Sequence, residues 1–477
     1  MNFKLPVLLA VFYILSTPVE AQKKWDLKSV VEYAMQNNLG VRQMEVQSLI
    51  ANENYKQSKA SVLPGLNFST GGSLNSGSNQ DPTSFGRITQ TYVAGNFQLQ
   101  SSADIFNFFS KRNSVLANEW ELKAARASVD KSKNDIALTA ANVFLQILLA
   151  MEQVKITEVQ IKQTTDQLAT TTKMVEAGTL PELNASQLQA QLASDSVSYF
   201  TAVGNVIQSK LLLKSYLNID AADSFDIEAP PVTSIPLDPI ADLQPEYVYR
   251  LALKNQPQQK YNEYKLYAAQ KFVKAAHGAM FPTLSAFGSL GTGYNNQAME
   301  ITGVTPIMAP LGVVDVGGVS YNVFPSTPFN NYSYSKTPFG SQLSDNFRQT
   351  IGLNLSVPLL NGRSLKTSYL RSRLNIKSLE LNKLADDQKL KQDIYEAYNA
   401  ALISLEKYNA SKKNVEINEK TYNFATKRFD VGMLNTFDLI TTQNNLLRAK
   451  LESTINLFDY VFKMKVLEFY KGEGLKL

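Results

Sequence analysis

Residues 175–192 read VEAGTLPELNASQLQAQL, a sharp turn between two very long helical runs, and the chain contains the pattern a second time as FDVGMLNTFDLITTQNNL at 429–446. Adding 254 to a residue number in the first copy gives its partner in the second, without a gap: Gly178 meets Gly432, Gln189 meets Gln443 and Leu192 meets Leu446. In each copy a glycine ends a helix, as the residue that tolerates a left-handed C-terminal position. A helix-starting residue follows three positions later, Pro181 at a first-turn position or Asn435 as a cap. Both turns read as the tips of helical hairpins.

The register extends well beyond the turns. The same offset holds from Asn107/Asn361 and Ser110/Ser364 through Lys173/Lys427 to Tyr216/Tyr470. A second offset, 218, pairs Ala34 with Ala252, Asn37 with Asn255, Ala51 with Ala269, Pro64 with Pro282 and Leu66 with Leu284. The offsets differ by 36, so the second half carries an insertion of that size between roughly Leu290 and Val357. The expected organisation is a first repeat over 22–242 and a second over 243–477, with one enlarged loop in the latter.

Ahead of the repeats, Lys4, the apolar run LPVLLAVFYIL and the small-residue positions around Val19-Glu20-Ala21 form the pattern of a secretory signal peptide over 1–21. The mature protein is expected to start near Gln22. Nothing after it reads as some 20 uninterrupted apolar residues, so entry into a membrane would have to be as strands. With no cysteine there is no disulfide, no thiolate metal site and no lipid-anchored thiol. The 47 basic and 42 acidic residues give a net charge of +5 without a Lys/Arg block, which argues against nucleic acid and for solvated helix faces.

Taken in order, Leu27 to about Leu63 is one helix, stopped by Pro64-Gly65. The period then changes to two. Leu66, Phe68, Thr70, Gly72 and Leu74 alternate with polar or small residues, as do Val93 through Ile105, giving two strands joined by the turn-rich SGSNQDPTSFGR. From Phe108 to Ala177 there is neither proline nor glycine, which predicts one helix of about 70 residues and about 105 Å. A return helix runs from Pro181 to Leu217, followed by an acidic linker broken by Pro230, Pro231, Pro236 and Pro239, then a helix from Pro245 to Phe281. The second half repeats the plan: strands near Leu284–Tyr294 and Phe347–Leu359, an outward helix from Gly362 to Val431, and a return ending near Tyr470. Its missing second return segment is the N-terminal helix, so the chain closes on itself.

Four strands cannot close a transmembrane barrel, which needs about eight, and open edges are not tolerated in lipid. Chains must combine. Three copies give twelve strands with twelve helical passes beneath them.

In this ordered set of features, from the duplicated plan and the turns at Gly178 and Gly432 to the proline exits at Pro64 and Pro282, the whole mature chain resembles the TolC-type outer-membrane efflux proteins. The resemblance implies an α+β membrane channel: a homotrimer with a twelve-stranded β-barrel in outer-membrane lipid, four strands from each chain, and a long periplasmic α-helical barrel. It also implies that the hairpin tips, around Gly178, Pro181, Gly432 and Asn435, meet a periplasmic adaptor that links the channel to an inner-membrane pump. Asp438 stands where family members often place an acid lining the closed periplasmic entrance; Thr441 holds the next acid position, and Asn184 is the first-half partner of Asp438. A second reading of Asp438, compatible with the first, is a favourable interaction with the helix N-terminus. The chain departs from the family in its insertion, Asn295 to Asp345, which reads either as an extended surface loop or as a lid over the barrel mouth.

No enzyme chemistry and no cofactor site is visible. His277 is the only histidine and reads as a partner of a helix C-terminus. Gly291-Thr292-Gly293 lacks the further glycine and the helix that a phosphate loop needs. Asp386-Asp387 reads as a solvated pair. Phe106, Phe108 and Phe109, where strand becomes helix, suit either an aromatic girdle at the membrane edge or core packing. The alternative function, a periplasmic adaptor-like coiled-coil protein of the same machinery, needs a helical hairpin but no membrane strands. The strand pairs argue against it. Drug efflux, metal export and protein secretion are not separated by the sequence.

Overall fold

The computed structural model describes residues 25–80, 85–228 and 235–472. The expected signal peptide, Pro230 and Pro231 of the linker, and the centre of the first strand turn lie outside the described residues. In chain order the elements are α1 (Leu27–Asn37), α2 (Leu39–Ala60), β1 (Gly65–Gln80), β2 (Arg87–Phe106), α3 (Ser110–Glu176), α4 (Glu182–Leu217), α5 (Pro245–Asn255) and α6 (Pro257–Gly278). They continue with β3 (Thr283–Asn295), β4 (Met299–Ile307), β5 (Gly312–Val316), β6 (Val319–Val323), β7 (Phe329–Lys336), α7 (Phe339–Asp345), β8 (Arg348–Ser356), α8 (Ser364–Asp430) and α9 (Thr436–Tyr470). The chain divides into a helical unit, from residues up to Asn54, Asn118–Ala269 and those from Leu374 on, and a sheet unit, Tyr55–Ala117 with Gln270–Arg373.

Helices α3 and α8 are each 67 residues, about 100 Å, because neither contains a proline or a glycine to interrupt the hydrogen-bond ladder. In the helical unit α3 is held by its apolar stretch. Ile136, Ala140, Val143, Phe144, Ile147 and Leu148 pack with Val30 and Ala34 of α1, Val41 of α2, Leu213 and Leu217 of α4, and Phe458 and Val461 of α9. A second cluster joins Val248 and Ala252 of α5 to Ile394 and Ala401 of α8 and to Met464 and Leu467 of α9. Its members sit at the two sequence offsets from the first: Val248 answers Val30, Ile394 answers Ala140, Leu467 answers Leu213. Each fully buried Leu, Ile or Phe contributes about 1.5–3 kcal/mol relative to exposure. The most apolar run of α3 is more than half buried against these helices and is a core stripe.

The helices expected over 27–63 and 245–281 are each two helices. Asn38 (φ −61°, ψ 132°) and Gln256 (φ −64°, ψ 130°) leave the helical region at equivalent positions. Gln256 precedes Pro257, whose ring disfavours α geometry in the residue before it. Asn38 has no such neighbour; its Oδ1 instead accepts from the Gly40 N–H at 2.9 Å and starts α2. Both side-chain amides then turn to the end of a return helix. Asn38 Nδ2 donates to the Tyr216 carbonyl (2.9 Å), and Gln256 Nε2 donates to those of Phe469 (3.0 Å) and Tyr470 (3.2 Å). These are last-turn carbonyls that the helix itself cannot satisfy.

The described residues of the linker after α4 form a bridge between Ile227 and Trp25 and one 3-10 turn at Ile240–Asp242, and are tied down by charge. Lys214 Nζ donates to the carbonyls of Ala221 and Asp223. In α9 the buried pair Lys465–Glu468 (2.9 Å) turns outward to it, Glu468 accepting from the Asp238 N–H at 2.7 Å and Lys465 donating to the Pro236 carbonyl.

The sheet unit is antiparallel in the order β1-β2-β3-β8. Strands β1 and β2 pair from Gly65↔Ser102 to Gln80↔Arg87, so they outrun the expected strands and consume half of the expected turn. Strand β2 continues onto β3 from Ala94↔Asn295, with a bulge at Asp104/Phe106, and β3 onto β8 from Thr283↔Ser356 to Gly291↔Arg348. The insertion is not an irregular loop. Strands β4 and β7 form a ribbon from Met299↔Lys336 to Ile307↔Phe329 that carries the β5–β6 hairpin. Helix α7 anchors its base: Gln342 Oε1 accepts from the Asn295 N–H (2.8 Å) and its Nε2 donates to the Thr337 carbonyl (2.9 Å). The Thr292 hydroxyl donates to the Leu343 carbonyl at 2.8 Å.

Candidate functional site

The pairing register sorts the sheet into two faces. One carries Leu66, Phe68 and Leu74 of β1, Val93, Phe97 and Leu99 of β2, Leu284 and Leu290 of β3, and Ile351, Leu353 and Leu355 of β8. It is open: Ile351 is 92% exposed and Leu66 72%. The other carries Asn67, Ser69, Asn96, Gln98, Gln100, Ser285, Ser289, Thr350 and Asn354. Of its two aromatics, Tyr92 opposite Asn75 and Phe287, the latter lies over Gly352, where a Cβ would come within 2.7 Å of the ring. Among the described residues β1 and β8 have no strand on their outer edges.

The two hairpin turns share one geometry. Gly178 (φ 72°) and Gly432 (φ 73°) are left-handed; the Gly178 and Gly432 N–H groups donate to Val175 and Phe429, and those of Thr179 and Met433 reach back to Met174 and Arg428. This is the paired 6→1 and 5→2 closure of a helix C-terminus. The helix starts differ. Pro181, expected in the first turn, is the residue before it (φ −62°, ψ 147°) and caps through no side chain, with Asn184 N–H donating to its carbonyl at 3.1 Å. Asn435 caps α9 through Oδ1 to the Asp438 N–H (2.8 Å), while its Nδ2 donates to the Asp438 carboxylate (2.9 Å). Asp438 is exposed, as is Thr441, whose hydroxyl donates to the Phe437 carbonyl. Around the turns Leu183, Met433 and Phe437 expose most of their side chains, at 65%, 69% and 66%.

Away from the turns the hairpins meet through polar groups. Thr164 of α3 donates to buried Asp195 of α4 at 2.6 Å and accepts from Gln443 of α9 at 3.1 Å. Gln191 and Asn444 exchange amide hydrogen bonds at 3.0 and 3.2 Å, and Gln167 donates to the Tyr422 hydroxyl at 2.8 Å. Burial pushes the Tyr422 phenol above its ordinary value, which keeps it neutral. Sequence reasoning missed this layer, since Thr, Gln and Asn on a long helix read as a solvated face. The Asp386-Asp387 pair was misjudged in the same way. Asp386 is half-buried and accepts from Gln258 (3.0 Å) and Asn262 (2.7 Å), and Asp387 pairs with Lys383 (2.8 Å).

At the strand-to-helix junction of the sheet unit the three phenylalanines lie together. Phe106 contacts Phe108 and Phe109 at ring-centroid distances of 4.9 and 5.7 Å, Phe108 stacks on Phe281 at 4.7 Å, and His277 contacts Phe281 (5.1 Å) and Tyr369 (5.4 Å). His277 is in the last turn of α6. Gly291-Thr292-Gly293 lies within strand β3, and among the described residues no acid or histidine cluster could hold a metal.

The family model for outer membrane efflux proteins matches residues 30–218 and 248–454. The toluene efflux pump outer membrane protein TtgC of Pseudomonas putida is 21% identical over 432 residues, 89% of this chain and 78% of TtgC. The fold is similar to that of the Campylobacter jejuni CmeC outer membrane channel, with a TM-score of 0.73 and 16% identity over 94% of this chain and 86% of CmeC. It is similar also to the outer membrane protein VceC of Vibrio cholerae, with a TM-score of 0.72 and 15% identity over 94% and 97%. Taking in the first long hairpin, both strand pairs and the second hairpin as far as residue 454, the family match covers most of the chain, which belongs to the outer membrane efflux protein family.

Proposed function

We propose that three copies of this chain join their sheets edge to edge into a twelve-stranded barrel in the outer membrane, as the channel of a tripartite efflux system. One observation carries the proposal: a four-stranded sheet with a bare apolar face, a polar opposite face and two unpaired edges. Water would not tolerate the first face, and lipid would not tolerate the edges. Closure with two further copies removes both faults, with the polar face lining the lumen and Phe106, Phe108 and Phe109 lying at the membrane boundary. The paired long hairpins then form a periplasmic tunnel ending at the turns around Gly178 and Gly432. There Leu183, Met433 and Phe437 offer apolar contacts to an adaptor hairpin, and the adaptor joins the channel to an inner-membrane pump. Asp438 and Thr441, with Asn184 at the position of the first turn that matches Asp438, border the entrance, so that three chains bring three Asp438 carboxylates together. The Pseudomonas putida relative is a toluene efflux component, which favours small-molecule export over protein secretion. The two repeats, 22–242 and 243–477 behind a signal peptide at 1–21, each supply one strand pair and one hairpin.

The test is the mass of the detergent-purified protein together with its conductance in planar bilayers. Three chains per particle and discrete channel openings are expected. A stable folded monomer without conductance refutes the barrel.

A further inference from the structure

Four chain segments run through the strand-to-helix junction, 55–63, 103–117, 270–282 and 357–373, and together they hold ten lysines and arginines against one acid, Asp104. The rest of the chain is left with 37 bases and 41 acids, so the junction accounts for more than the whole positive balance. The segments touch one another. Lys111 Nζ donates to the Ser61 carbonyl (2.9 Å), the Ser110 hydroxyl to that of Ala275 (2.9 Å), and His277 meets Tyr369. The lone acid is already taken, by Lys111 at 2.9 Å.

At this junction is an open cavity of about 530 Å³ whose walls include Phe108, Phe281, Tyr369, His277 and a single lysine, Lys274. Lys274 has no acidic partner among the described residues, and the Arg373 guanidinium lies 5.9 Å from the centre of the Tyr369 ring. The cavity is continuous with the apolar face of the sheet through the ring contacts that run from Phe106 to Phe108 to Phe281. Its shape is held at a cost. Phe108 (φ 48°) is left-handed at a position whose second-half equivalent is Gly362 (φ 58°), and a side chain in that conformation is strained. Gly278 permits the approach that buttresses it, since a Cβ there would lie 2.6 Å from the Phe108 carbonyl.

We propose that this cavity binds an anionic phospholipid from the adjoining leaflet. Lys274 and the neighbouring bases hold the phosphate, and Phe108, Phe281 and Tyr369 carry the glycerol and the first acyl carbons. The apolar continuity supplies the tail with a path, and the charge of Lys274 in the wall selects a head group of net negative charge over a zwitterionic one. The inference rests on the sheet being a membrane barrel. A chain that fails to form inserted trimers refutes that reading, whereas an inserted trimer without lipid preference refutes only this one.

The experiment is native mass spectrometry of delipidated trimers titrated with dioleoyl phosphatidylglycerol or dioleoyl phosphatidylcholine. Phosphatidylglycerol is expected to be retained, one per chain, where phosphatidylcholine is lost, and retention should fall as salt rises. Lys274→Gln should weaken retention about fivefold, the effect of one juxtamembrane charge. Phe108→Gly, which fits the backbone without strain, should also weaken it in an intact trimer, while Lys162→Gln in the helical unit should not. Equal retention of the two lipids by the wild-type trimer overturns the proposal, even if no variant assembles. An unchanged Lys274→Gln trimer also overturns it, and so does displacement of the lipid by excess inorganic phosphate, which would indicate a site for the free anion.

Discussion

Replacing Ile351 with lysine tests the sidedness of the sheet. Ile351 lies on β8 opposite Gly288, three residues from one end of the strand and five from the other, with its side chain almost wholly bare on the apolar face. In a barrel it meets lipid near mid-depth, where a lysine costs about 2–4 kcal/mol per chain, hence about 6–12 kcal/mol for a trimer. Even the lower bound per chain is a factor of about 30 in the folding equilibrium. Thr350, the preceding residue, points to the polar face, so Thr350→Lys places the same charge on the lumen side at little cost. Leu355, close to the helix-side end of the strand, should tolerate lysine with a loss of about 0–1 kcal/mol. The assay is refolding from urea into phospholipid vesicles, read as the denaturant midpoint and as the yield of SDS-resistant trimer. The expected order of stability is Thr350→Lys, then Leu355→Lys, then Ile351→Lys. Equal damage from Thr350→Lys and Ile351→Lys, or none from either, would refute the assignment of faces.

Gly178→Val and Gly432→Val each force a β-branched residue into a left-handed position, at about 1–2 kcal/mol confined to the turn. Trimers should reach the membrane but lose export in a drug-susceptibility assay, and full export by both variants would remove the tips as the docking site. Asn38→Ala removes the donor to the Tyr216 carbonyl of α4, and Gln256→Ala the donor to the Tyr470 carbonyl of α9. A loss of about 1–3 kcal/mol each is expected in urea titrations, and unchanged midpoints would contradict the capping role. Asp438→Asn keeps the backbone cap made by Asn435 and removes one charge per chain; cation selectivity and divalent block should weaken in bilayer recordings, and identical currents would exclude an entrance role.

What was legible in the sequence follows from which forces are local. Proline, glycine and period changes mark helix and strand limits, so the pair of 67-residue helices and the four sheet strands could be read directly. The break at Gln256 was missed although Pro257 after it signals one, and the break at Asn38 combines a local bond from the Gly40 N–H with a carboxamide reaching Tyr216 far along the chain, which no window contains. The basic junction was hidden for the same reason. Its ten charges are scattered over four segments, none dense enough to stand out, and only the fold collects them. The inserted ribbon was missed because its glycine, asparagine and proline content suits a loop, while Val313, Val314, Tyr321 and Val323 pair only once the hairpin forms.

The polar layer between the hairpins has a consequence for how the tunnel end can work. Among the described residues six buried side-chain polar atoms lack a partner, those of Gln160, Gln167, Thr171, Asp387, Thr436 and Gln443, all on the long hairpins. An apolar seam of that extent would have to expose its whole surface to water if the hairpins parted. The exchange of Gln191 with Asn444, and of Thr164 with Gln443, can instead be traded for water at a net cost of about 0.5–1.5 kcal/mol per bond. Each unsatisfied atom subtracts from the stability of the joined state. The hairpin α8–α9 is bound internally by the apolar cluster of Tyr422, Ala425, Phe429, Leu439 and Leu446, so it can move as one body. Rigid hairpins joined by an exchangeable seam are what a channel needs if its narrow end is to open without unfolding.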